Sequence, residues 1–211
     1  MMARALLTFA LTAITVGASA ADVPVLGHTP QLVLRDAAAK SAMALAVTSP
    51  SFRQGEDIPY DYTQYGRNRF PGLAWSRGPD GTQSYLVVVQ GEGEHAGAMT
   101  SIHLTLYNLP ASTQGLPVGM TDAPEGSTYG PNVHGVSAAY AGPHTHTLAK
   151  HAYHFQVLAL DTRLPVAADQ SFDSIEMAAK DHILAAGDLV GRVGMDPQSP
   201  EARQLPGDAH P

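Results

Sequence analysis

The stretch AGPHTHTLAKHAYHF, residues 141–155, holds four of the chain's ten histidines, at positions 144, 146, 151 and 154. Imidazoles at this density suit metal ligation, proton transfer near neutral pH, or hydrogen bonding to an anion. Tyr153 lies within the stretch, Tyr140 just before it, and Pro143 stiffens the backbone between them. Elsewhere, His103 sits in SIHLTLYNLP (101–110), and two carboxylates, Glu92 and Glu94, sit in GEGEHAG (91–97).

Each chemistry makes its own demand. The H-x-H pair His144 and His146, with His151 and Glu94, would be the ligand set of a metal-dependent hydrolase. If 151–160 is a strand, however, His151 and His154 are three apart and point to opposite faces, so a four-histidine cage needs a bend. GEGEHAG mimics a dinucleotide fingerprint, but that motif needs a following helix, and the segment after it reads as a strand with two carboxylates before it. A nucleophilic serine finds no G-x-S-x-G; GVSAA at 135–139 lacks the last glycine, and no spacing singles out a triad. The remaining candidate is a mixed polar pocket. His151 and Tyr153 share one strand face, and His103 and Tyr107 share the polar face of another. Side by side, their N–H and O–H groups would donate to an anion without a fixed positive charge.

These side chains need strands to carry them. MALAVTS (43–49) and PGLAWS (71–76) read as strands around a long loop, 50–72. QSYLVVVQ (83–90), apolar on both faces, reads as a central strand. In 101–110, Ile102, Leu104 and Leu106 alternate with Ser101, His103, Thr105 and Tyr107, which predicts one apolar and one polar face. Residues 111–150 form long loops, of the kind that carry function. HAYHFQVLALD (151–161) is the next strand. A helix is predicted over 174–186, with Asp173 and Glu176 as a capping box and Gly187 as its stop. A short strand, 188–194, closes the domain.

Residues 1–20 read as an export signal: Arg4, an apolar run over 5–16, and ASA before Ala21. Cleavage after Ala20 predicts a periplasmic or secreted protein with a lead-in over 21–42, a domain over 43–195 and a polar, disordered tail over 196–211. The apolar run is too short for a membrane span. The chain has no cysteine, which removes thiolate sites. Loss of Arg4 moves the formal charge from −7 to −8, and the acidic balance argues against nucleic acid as a partner. An anion must therefore be held locally.

Five blocks, in order, resemble the phosphatidylethanolamine-binding protein family in its bacterial Raf-kinase-inhibitor-like branch. FPGLAWSRGPDGTQSYLVVV resembles the family's SPxLSWxxxPxGTxSFxLxxxD; IHLTLYNLP its HWVVYNIP; YAGP (140–143) its GYxGPxPP; HAYHFQVLALD its HRYxFxLYALD; and MAAKDHILAAGDLVG (177–191) its MxGHxLAxGxLxG. The resemblance implies a mostly β sandwich, with a large antiparallel central sheet, a smaller sheet and a C-terminal helix. It implies a non-enzymatic cleft, with no cofactor, for a small anionic or phosphorylated head group. His103, His151 and Tyr153 would bind it, Glu92 and Glu94 would stand at the rim where the family has DPDAP, and Tyr140 and Pro143 would shape the wall. Homodimers and docking on a kinase or protease are also implied. Leu104 replaces a family tryptophan, HTHT replaces the last prolines of GPxPP, and Val193 replaces an aromatic.

Overall fold

The computed structural model describes residues 28–29, 43–93, 100–167, 169–200 and 202–204. The export signal, most of the lead-in and Glu94 lie outside them. The strands are β1 (His28–Thr29), β2 (Val47–Thr48), β3 (Leu73–Trp75), β4 (Ser84–Gly91), β5 (Thr100–Pro110), β6 (Gly115–Leu116), β7 (Thr128–Tyr129), β8 (His151–Leu160) and β9 (Ile183–Val193), with helix α1 (Phe172–Ala179) before the last. They form two antiparallel sheets: a large one in the order β1-β5-β4-β8-β9, with β7 also on β5, and a small one in the order β2-β3-β6. This is the expected sandwich with a C-terminal helix.

Strand β4 is buried at every position, as its two-faced apolar sequence predicts. Tyr85, Val87 and Val89 join Leu104, Leu106, Phe155 and Val157 in a core against Val47, Leu73 and Trp75 of the small sheet. Leu86 and Val88 face the other way, with Ile102, Tyr107 and Leu158, and pack on Phe172 and Ile175 of α1.

Two sequence expectations are corrected. Helix α1 starts after Ser171, whose side chain accepts from Ser174 N, and it ends at Ala179. Ile183, Ala186 and Gly187 belong to β9, because pairing with the whole of β8 outweighs the helical spacing of a few alanines. Gly187 does not stop a helix; a Cβ there would collide with the Leu45 carbonyl oxygen.

The clean alternation of β5 is also broken. Val89 faces Leu104 but Gln90 faces Ile102, which leaves His103 as an extra residue in a β-bulge. A second bulge falls between the pairs Tyr85–Leu109 and Val87–Leu106, next to Asn108 with φ 60°. Ile102 and Tyr107 therefore turn toward the helix, while Leu104 and Leu106 stay on the small-sheet side. His103 and Tyr107 do not share a face.

The outer edge of β9 is laced by residues 45–58. Leu45 N donates to Ala186 O at 2.9 Å, Gly55 N to Val190 O at 2.7 Å, Ile58 N to Arg192 O at 3.0 Å, and Arg192 N to Glu56 O at 2.9 Å. Past β9, Ser199 is buried in a turn at the start of the predicted tail.

Candidate functional site

The bulge aims His103 at the same face as Tyr153, with ring centroids 5.2 Å apart and edge-on. Tyr153 lies opposite Gly91 on β4 and Gly191 on β9. A Cβ on Gly91 would come within 2.8 Å of both Tyr153 Cε1 and Ser101 Oγ, so the glycine lets these groups meet.

His103 is 3 % exposed, and each ring nitrogen has a defined task. Nδ1 lies 2.9 Å from Ala141 O and 3.2 Å from Gly142 O. Both are acceptors, so Nδ1 carries the proton. Nε2 lies 2.9 Å from Ser101 Oγ and, in the neutral ring, accepts that hydroxyl's proton. The neutral imidazole thus offers no free N–H to an anion; only the imidazolium does so, through Nε2.

The phenols are similarly engaged. Tyr153 donates to His144 O at 2.9 Å, and Tyr140 donates to Tyr62 O at 2.9 Å. Burial pushes the Tyr140 phenol well above its ordinary range, with the neighbouring Tyr153 adding to it, so Tyr140 remains a donor. The sequence reading cast Tyr153 as a ligand donor; here its proton holds the loop that carries HTHT.

That loop is clamped from below by residues 62–68. Gly142 N donates to Asn68 Oδ1 at 2.6 Å, Gln64 Nε2 to Gly142 O at 2.8 Å, and Gln64 N to Pro143 O at 3.1 Å. Asn68 adopts a positive φ of 52°, which asparagine tolerates better than most residues. A Cβ on Gly142 would lie 2.7 Å from Tyr62 O. Buried Asn132 donates to Ala139 O at 2.6 Å and to His103 O at 3.3 Å, which ties the next loop to the same histidine.

Tyr65, His144 and His146 pack in a row: Tyr65 and His144 are tilted, with centroids 4.8 Å apart, and His144 and His146 meet edge-on at 4.9 Å. His151 is engaged by Thr147, Nε2 to Oγ1 at 2.6 Å. Among the described residues, no group of three or more His, Cys, Asp or Glu is placed to hold a metal ion. The four-histidine cage does not form there, because His154 projects from the opposite face of the sheet.

On that opposite face, His154 Nδ1 lies 2.6 Å from Asp188 Oδ2, and Nε2 lies 3.3 Å from Glu92 Oε1. This corrects the rim role expected of Glu92. Gly91 opposes Tyr153, so Glu92, one residue on, falls out of phase and joins His154 instead. Burial alone would lower the His154 pKa; the hydrogen bond and charge of Asp188, with Glu92 behind them, outweigh it and raise the pKa above its ordinary value.

Sequence reasoning missed Ser101, Asn68, Gln64, Asn132 and Asp188. Only Ser101 left a signal, the S-x-H spacing on one strand, and the bulge that makes it effective is not written in the alternation.

The family model described as phosphatidylethanolamine-binding protein matches residues 48–194. A UPF0098 protein of Aquifex aeolicus is 31% identical over 153 residues, covering 70% of this chain and 86% of its own. The crystal structure of Escherichia coli YbcL, described as a new member of the mammalian PEBP family, is 25% identical, with a TM-score of 0.66 over 73% of this chain and 100% of its own. A putative phosphatidylethanolamine-binding protein homolog, CT736 from Chlamydia trachomatis, is 28% identical, with a TM-score of 0.64 over 72% of this chain and 99% of its own.

Proposed function

The chain belongs to the phosphatidylethanolamine-binding protein family, and from that premise we propose that it is an exported binding protein for a small anionic or phosphorylated head group, seated at Ser101 and His103. The observation that carries this reading is the division of labour on the His103 ring. Ala141 and Gly142 hold Nδ1, while Nε2 is turned to Ser101, whose residue is only partly buried. Protonation at Nε2 gives a cationic N–H beside a hydroxyl, a pair suited to a phosphate oxygen. Tyr153, Tyr140 and Pro143 serve by fixing the loop rather than by touching the ligand.

The expected result follows from linkage. Binding of inorganic phosphate or phosphoethanolamine as the dianion takes up a proton at His103, so affinity falls as pH rises, approaching about tenfold per pH unit once the ring is neutral and the ligand is fully ionised. NMR titration between pH 5.5 and 8.5 reads this at His103 and Ser101. A pH-independent affinity, or binding that survives both His103→Ala and Ser101→Ala, would overturn the reading.

Export is proposed on residues 1–20 alone. The mature protein recovered from cells should begin at Ala21, which N-terminal mass spectrometry reads directly; a mature protein beginning at Met1 would refute it. Among the described residues no helix is long and apolar enough to cross a membrane.

A further inference from the structure

We propose that Ser101 and His103 form a nucleophile–base pair and that Ser101 accepts an acyl group from small activated esters. This goes beyond reversible anion binding and uses the opposite protonation state of the same imidazole.

The geometry supplies what an activated serine requires. Ser101 Oγ and His103 Nε2 are 2.9 Å apart, within direct proton-transfer reach. The tautomer is fixed from behind: Nδ1–H donates to Ala141 O, with Gly142 O also close, so the lone pair of Nε2 faces the hydroxyl. A backbone carbonyl here fills the orienting place that a carboxylate fills in a triad. The base is buried, and the residue that carries the nucleophile is partly exposed. Gly91 lets Oγ sit beside the Tyr153 ring, since a Cβ there would lie 2.8 Å from both Ser101 Oγ and Tyr153 Cε1.

The step balances without any further reactant. Oγ bonds to the ester carbonyl carbon while its proton passes to Nε2. The tetrahedral adduct then breaks its bond to the leaving phenolate, which takes the proton from Nε2. Serine and ester become acyl-serine and phenol.

The test uses the full chain and p-nitrophenyl acetate at pH 5.5–8.5, read by nitrophenol release, intact mass and peptide mapping. The expected result is one acetyl group on Ser101, added at a rate that rises with pH and levels off once the imidazole is neutral. Ser101→Ala should abolish it, and His103→Gln should slow it by about 100-fold or more. An acetyl group elsewhere, an unchanged rate in His103→Gln, or a rate that climbs with pH without a plateau would overturn the proposal. Because His103→Gln also removes a loop anchor, the wild-type tautomer is read by 15N NMR; a neutral ring protonated at Nε2 would overturn the proposal on its own. Phosphate titration of the same sample separates the two readings. Phosphate binding weakens with rising pH where acylation accelerates, so either can fail while the other stands.

Discussion

Replacing Tyr153 with alanine is expected to lower the free energy of unfolding by about 3–5 kcal/mol, as for other buried aromatic truncations. The side chain is 3 % exposed and lies in the core beneath the small sheet. Its ring abuts His103, and its hydroxyl holds His144 O. Alanine would leave a cavity and remove the hydrogen bond to His144 O together. Tyr153→Phe separates the two losses: it keeps the ring and should cost only about 1 kcal/mol, the ordinary worth of one hydrogen bond. Urea unfolding measures both, with the slope unchanged if the denatured state is unaltered. Equal losses in the two variants would show that the hydroxyl, not the packing, secures the loop. The phenylalanine variant should also release the HTHT loop, seen as faster hydrogen exchange at residues 144–147, while the sheet keeps its protection.

The second large effect is expected on the other face. His154 has a raised pKa in the folded protein, through Asp188 and Glu92 acting against burial. A raised folded-state value means that the native state holds its proton more tightly than the unfolded chain. The resulting stabilisation is fully present below about pH 6.5, the unfolded imidazole value, and is lost as pH rises through the folded value. Asp188→Asn removes the hydrogen-bonded charge and leaves burial opposed only by Glu92. Stability should then fall at pH 5.5 and change much less at pH 8.5, on the order of 1–3 kcal/mol at the lower pH for a charge-assisted hydrogen bond. Urea midpoints at the two pH values check this; an equal loss at both would show that the pair contributes through packing alone.

The fold was legible because its strands carry their burial in their composition. SYLVVVQ, apolar on both faces, can only sit inside a sheet, and β4 is buried throughout. The blocks around His103 and HAYHF were legible through their order along the chain. What escaped was local phase. A bulge has no compositional mark, so the alternation of β5 added Tyr107 to the face of His103, whereas the structure keeps His103 with Tyr153 and turns Tyr107 to the helix side. Glu92 escaped for a simpler reason: its parity relative to Gly91 sets it on the far face, and carboxylate chemistry alone does not reveal parity. The helix boundary was lost to tertiary pairing, since ILAAGDLV satisfies a helix until β8 is beside it. Tautomer and proton direction were beyond sequence altogether, because they depend on two carbonyls 38 and 39 residues away.

The strap that laces β9 bears on how the protein behaves when crowded. An eleven-residue strand at the end of a sheet is an invitation to add another chain, and such addition is a common route to fibrils. Residues 45–58 answer five of the backbone groups that an incoming strand would seek, four through their own backbone and Val190 N through Gln54 Oε1. Conditions that loosen this strap while leaving the sheet intact would expose a ready template. Colloidal lifetime is therefore set at the strap, far from the histidines, and a variant chosen for long storage should tighten residues 45–58 before it touches the core.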